Sequence, residues 1–120
     1  EVQEDHVSGE HAAQVDAAFE MMFASNMGEE AVLACLTTIG KVLGNVVDQP
    51  LEDKFRKIKL GNKAVRERIL SVAGGVEVLV AAGFAHADGD EGEGDILVHA
   101  KSGENQVRVT YVNQRVQELL

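Results

Sequence analysis

Apolar positions along the first half of the chain recur with a helical period. From about Glu10 to Asn26, Val15, Phe19, Met22 and Phe23 fall at i, i+4, i+7 and i+8, which predicts one buried helical face. Asn26-Met27-Gly28 breaks the pattern, and Gly28 suits a left-handed helix stop. A second helix is predicted from about Glu29 to Val47. Its stripe of Val32, Leu36, Ile39, Leu43 and Val46 steps by four and three and is expected to lie against the first helix. Glu29 and Glu30 occupy its first turn, where the helix dipole favours anions. Residues 1–9 carry no such period. They are expected to be a linker or disordered start, with 10–120 forming a single domain.

Pro50 interrupts, and Leu51–Arg56 is predicted as a short helix with Pro50 near its first position. Ile58 and Leu60 alternate with Lys57 and Lys59, so this stretch reads as extended or as a short irregular turn. Asn62 is a candidate N-cap for Lys63–Ile69. Gly74-Gly75 opens a further helix through Ala82, with Val76, Leu79 and Val80 expected inward, and Gly83 closes it. The period then changes. Phe84–Ala87, Ile96–His99 and Val107–Tyr111 have strand composition, and Val107, Val109 and Tyr111 alternate with Arg108 and Thr110. Asp88–Gly94 and Lys101–Asn105 are expected to be hairpin turns, and Gln114–Leu120 a last short helix. About five helices packed with a small antiparallel sheet define an α+β class.

Charge changes the picture. The chain of 120 residues has a net charge of −9. From Lys41 to Arg68, eight Lys or Arg face four Asp or Glu, a local +4, and the remainder carries three against sixteen, a local −13. A basic island on an acidic body is suited to an anionic partner. The overall acidity argues against nucleic acid, which selects a basic excess. Only Phe55 offers a stacking face inside the island. No apolar run in the sequence approaches the ~20 residues that span a bilayer, so no membrane partner is expected. The polar, acidic start does not resemble a signal peptide. The absence of an initial Met and the end at Leu119-Leu120 suggest a piece of a longer protein. Cys35 is the single cysteine, which fits a reducing compartment. A monomer in the cytoplasm, or also in the nucleus, is expected.

The residues between these charges resemble the PUB domain, found in peptide:N-glycanase, in some UBX-domain proteins and in the ligase that makes linear ubiquitin chains. The family carries a K-Y-R-x-I-[KR]-x-x-N-x-x-[FV] core, which here is Lys54-Phe55-Arg56-Lys57-Ile58-Lys59-Leu60-Gly61-Asn62-Lys63-Ala64-Val65. The family's glycine-started helix ending in G-F is similar to Gly74-Gly75 through Gly83-Phe84, and its upstream Asn-containing helix to Leu43-Gly44-Asn45 through Pro50. The resemblance covers about Ala31 to Phe84 and, more loosely, Ile96–Val98. It implies a peptide-binding adaptor that docks its parent protein onto the acidic, Tyr-containing C-terminal tail of valosin-containing protein, an AAA+ segregase of the ubiquitin–proteasome and ER-associated degradation pathways.

It also implies a peptide site in which Asn45, Lys54, Phe55, Lys59, Asn62, Ala64 and Val65 converge. The chemistry suits such a ligand. Lysines meet carboxylates at the rim. An Asn amide can pair with a peptide bond in both directions. Phe55, Ala64 and Val65 can line a slot for an aromatic side chain. Phe55 stands where the family has Tyr, so one hydroxyl is missing. Val65 stands where a larger residue is common, and Leu70-Ser71-Val72 replaces a Leu-Pro-Val. Two alternatives stay open: a degenerate PUB-like scaffold with a different protein partner, and a non-catalytic fragment of a peptide:N-glycanase-like enzyme.

Other chemistries fit poorly. Read as an EF-hand from Asp88, the acidic loop puts Gly92 at a ligand position, Glu93 where Gly belongs and His99 where the bidentate Glu belongs. His86 and His99 could face each other across a hairpin, but no further ligands have suitable spacing. Cys35 sits among Ala34, Leu36 and Leu33 and reads as a core residue. No paired-carboxylate or phosphate-loop signature is present. The expectation is no enzyme activity, no metal and no cofactor.

Overall fold

The structure, a computed structural model, describes residues 9–24, 28–89 and 94–120. Helix α1 spans Gly9–Phe23 and α2 spans Glu29–Asp48. A 3-10 turn at Asp53–Arg56 leads into strand β1, Lys57–Lys59. Helix α3, Lys63–Val65, runs on into a wider π turn, Arg66–Leu70. Helix α4 is Gly75–Ala81, β2 is Phe84–Asp88, β3 is Asp95–His99 and α5 is Gly103–Leu119. The class is α+β, as expected. The linker reading of residues 1–8, the Asn26-Met27 break and the tip of the acidic loop, 90–93, lie outside the described residues.

The sheet is antiparallel in the order β1-β3-β2. The β2–β3 hairpin falls where its Asp/Gly-rich connector predicts, with Ala85 opposite Val98 and Ala87 opposite Ile96. The third strand is not Val107–Tyr111. It is the Lys57-Ile58-Lys59 stretch, whose Ile58 is buried and lies opposite Leu97.

Residues 103–119 form a helix instead of a strand and a turn. Ser102 caps it by accepting the Asn105 N–H at 3.0 Å. Val109, Val112 and Val116, at helical spacing, are fully buried. Outside, Glu104 and Arg108 pair at i, i+4. The β-branched content of this segment favours a strand, but a strand would bring only alternate residues inward. Lys101–Asn105, expected to be a hairpin turn, is therefore the entry to α5.

The stripe on α2 is buried as predicted at Leu36, Ile39, Leu43 and Val46, with Val32 half-buried. Its main partner is α5 and not α1, which packs chiefly on α4. Gly40 lets α5 approach: a Cβ there would sit 3.3 Å from Gln117 Nε2 and 3.4 Å from Val116 Cγ1. By length and composition α2, with 20 residues, is long and apolar enough to cross a membrane, which the sequence reading did not anticipate. Here its apolar stripe is part of the core. On α1, Val15, Phe19 and Met22 are buried, whereas Phe23 is exposed. On α4, Val78, Leu79 and Ala81 face inward, and Val80, expected inward, is exposed.

The Gly74-Gly75 pair has a steric reason. Gly74 has φ +87°, and a Cβ on it would lie 2.7 Å from the Ala18 carbonyl oxygen. A Cβ on Gly75 would collide with the Ile69 carbonyl oxygen. Only glycine lets α1 and the π turn close on the start of α4.

Candidate functional site

The basic island folds into a compact run of turn, strand and helix cap. The Phe55 N–H donates to the Glu52 carbonyl at 3.2 Å and starts the 3-10 turn. Leu60 N–H donates to the Asp95 carbonyl at 3.1 Å, extending the β1–β3 ladder by one bond. Asn62 N–H donates back to Lys59, also at 3.1 Å, and turns the chain. Asn62 Oδ1 then accepts the Val65 N–H at 3.1 Å, so Asn62 is the N-cap expected of it. The amide NH2 of Asn62 makes no hydrogen bond among the described residues, so capping leaves a donor for a ligand.

Phe55, Leu60 and Val65 are half-buried against the core, whereas Lys54, Lys59, Asn62 and Ala64 are exposed. Lys54 Nζ lies 5.3 Å from the centre of the Phe55 ring, within cation–π range. Half-buried apolar side chains and exposed lysines thus intersperse along this run, with the Asn62 amide at its turn. Asn45 is exposed on the last turns of α2, and α2 packs against both the 3-10 turn and the π turn. The structure thus joins Lys54 to Phe55 and Asn62 to Val65 directly. Asn45 stands on the adjoining helix, and Ala64 lies on the exposed side of α3.

Arg56 belongs elsewhere. Counted by sequence with the island's cations, it is 6% exposed and faces inward. Its Nε donates to the Pro50 carbonyl at 2.8 Å, and Nη2 donates to Gln106 Oε1 at 3.1 Å. Its Nη1 donates to both His99 Nδ1 at 2.7 Å and the His99 carbonyl at 3.2 Å. Nδ1 must therefore be the unprotonated nitrogen, and His99 Nε2–H donates to the Ala82 carbonyl at 3.0 Å. Burial holds the His99 imidazole below its ordinary pKa, and the Arg56 charge lowers it further against the opposing Ala82 bond. This guanidinium pins the turn after α2 to β3 and α5, and so fixes the ledge that carries Lys54 and Phe55.

The same bonds dispose of the histidine pair. His99 lies opposite Phe84, and His86 lies opposite Leu97, so the two imidazoles do not face each other. Among the described residues, no group of three or more potential ligands is assembled for a metal. Burial raises the Cys35 thiol to about 11, which keeps it protonated and unreactive at neutral pH, as its core position suggests.

A small three-stranded sheet on a helical bundle, presenting exposed lysines and the Asn62 amide, is a surface suited to a protein-interaction module. Comparison with known proteins specifies it: the chain belongs to the PUB domain family, whose profile matches residues 29–111. UBX domain-containing protein 6 of Caenorhabditis elegans is 41% identical over 88 residues, covering 73% of this chain and 20% of that protein. The human protein of the same name is 39% identical over 70 residues, 58% of this chain and 16% of that protein. The peptide-N(4)-(N-acetyl-beta-glucosaminyl)asparagine amidase of Drosophila melanogaster is 37% identical over 59 residues, 49% of this chain and 9% of that enzyme. The chain thus aligns with a fifth or less of these relatives' lengths.

Proposed function

We propose that this domain is a non-catalytic adaptor that captures an acidic, Tyr-containing C-terminal peptide, and that its natural ligand is the tail of valosin-containing protein. One observation carries the reading. On a chain of charge −9, the exposed ledge 54–65 presents lysines and an amide around the half-buried Phe55 and Val65. An acidic peptide would be steered by Lys54 and Lys59. Its aromatic side chain would rest between Phe55, Ala64 and Val65. The NH2 of Asn62 and the amide of Asn45 would pair with its main chain. Family membership supports a protein partner, and the resemblance of the Asn45–Val65 core supports this class of ligand. Docking to a cytoplasmic segregase would place the parent protein in the cytoplasm.

Calorimetric titration with a tail peptide of Asp/Glu-rich sequence ending in an aliphatic residue, Tyr and Gly tests the proposal. Binding should weaken with salt. Asn45→Ala should weaken it while leaving the fold intact, because Ala is the better helix former at an exposed position. Absence of binding at ~1 mM peptide in low salt, an affinity of only about 4 kcal/mol, would sink the proposal.

A further inference from the structure

Beside the ledge, on its β3 side, lies an open concavity of about 550 Å³ that shares only Lys54 with the proposed peptide site. Lys54, Lys57 and Lys101 line it together with Asp53, Val98 and, toward the interior, Arg56. It lies over the end of the β1–β3 pair, where Lys57 stands opposite Val98, and under the loop that carries Lys101. Among the described lining residues, four cations stand against one carboxylate, a local positive excess on an acidic molecule. Asp53, the one anion among the described lining residues, is already paired with Lys101 Nζ at 2.7 Å. That pair holds the Asp53 carboxyl below its ordinary pKa. Each nitrogen of the Arg56 guanidinium already donates to a protein acceptor and the residue is buried, so it adds charge to the basin without serving as its main ligand.

We infer that this basin is a second subsite, which receives the acidic stretch lying upstream of the ligand's aromatic end. The inference rests on the proposed peptide site for the order of the two parts. Lys54 belongs to both places: it covers the Phe55 ring and also lines the basin. A chain whose aromatic end rests at Phe55 and Val65 has a path past Lys54 toward Lys57 and Lys101. Carboxylates arriving there meet charge of the opposite sign. A long polyanion such as nucleic acid would extend beyond the basin over a surface that is acidic overall, whereas a short run of Asp or Glu ends within it. Lys57 and Lys101 would thus determine specificity for acidic sequence, separately from recognition of the aromatic.

Two labelled peptides with the same aliphatic-Tyr-Gly end, one preceded by four Asp or Glu and the other by four Gln or Asn, test this by fluorescence anisotropy. The acidic peptide should bind the wild-type domain about tenfold more tightly in low salt. Lys57→Gln and Lys101→Gln should each weaken the acidic peptide about two- to fivefold, the range for one exposed ion pair. Each should leave the neutral peptide unchanged. Asp53→Asn removes the competing carboxylate and should strengthen acidic-peptide binding about twofold, a gain that misfolding cannot imitate. If both peptides bind but neither lysine substitution changes their ratio, the basin is refuted and the ledge stands. If the acidic peptide responds to Lys57 and Lys101 but not to Asn45→Ala, the ledge is refuted and the order proposed here falls with it. Binding of neither peptide overturns both.

Discussion

Arg56→Met should unfold the domain more readily without acting first on ligand affinity. The substitution removes four hydrogen bonds, to Pro50, Gln106 and twice to His99. A hydrogen bond to a charged group is worth about 1.5–3 kcal/mol net, and an acceptor stranded in the interior costs about 1–3 kcal/mol. These terms overlap, because all four share one guanidinium, and methionine recovers part of the apolar stem. Water can also reach Pro50 and Gln106, whose bonds to Arg56 are only partly buried. A loss of about 3–4 kcal/mol is therefore expected, in line with breaking a buried polar network. A domain of this size has a stability of about 5–15 kcal/mol, so the variant should fold but melt early. The corresponding fall in Tm is about 10–20 °C. Arg56→Lys should recover little of this, since an ammonium cannot reach three separated acceptors in one plane. Urea unfolding followed by circular dichroism, with the slope against denaturant unchanged, measures the loss. A change below about 1 kcal/mol would refute the pin, as would an undiminished Tm with peptide binding abolished.

Two further predictions follow from the same neighbourhood. The His99 pKa is depressed in the folded state, so the unfolded chain takes up a proton first as pH falls. Its contribution to stability is complete above the unfolded pKa of about 6.5 and is lost as pH falls toward the depressed folded value, at a slope approaching 1.4 kcal/mol per unit. His99→Gln should flatten the stability profile below about pH 6.5, and an unchanged slope would contradict a neutral, Arg-bonded imidazole. On the ledge, Phe55→Tyr restores the hydroxyl found at this position in the family. It should tighten acidic-peptide binding by about 0.5–1.5 kcal/mol, read by calorimetry, and a neutral effect would mean that the hydroxyl has no partner in the ligand.

How far the chain could be read in advance depended on the range of the interactions involved. The cores of α1 and α2 follow from a 3.6-residue period sustained over several turns, and α4 from the glycines that frame it. The β2–β3 hairpin follows from a short connector rich in Asp and Gly. Residues 107–111 misled because Val107, Val109 and Tyr111 satisfy a two-residue period, while Val109, Val112 and Val116 satisfy a helical one. Ser102 and the Glu104–Arg108 pair were the local signals in favour of the helix. The third strand was visible only as an alternation at Lys57-Ile58-Lys59, since its pairing with Ile96–Val98 spans distant sequence. The same holds for the site. The cap at Asn62 and the exposure of Lys54 and Lys59 are local. That Arg56 turns inward depends on His99 and Gln106, each more than forty residues away, and no pattern of charges could reveal it. The basin with Lys101 was missed for the same reason.

Amide chemical-shift mapping during titration with an acidic, Tyr-containing C-terminal peptide tests the central claim most directly. The ledge account predicts saturable shifts at Asn45, Phe55, Lys59, Asn62 and Val65, with little change at α1, which packs chiefly on α4. Shifts confined to other surfaces, or none at ~1 mM peptide in low salt, would contradict it.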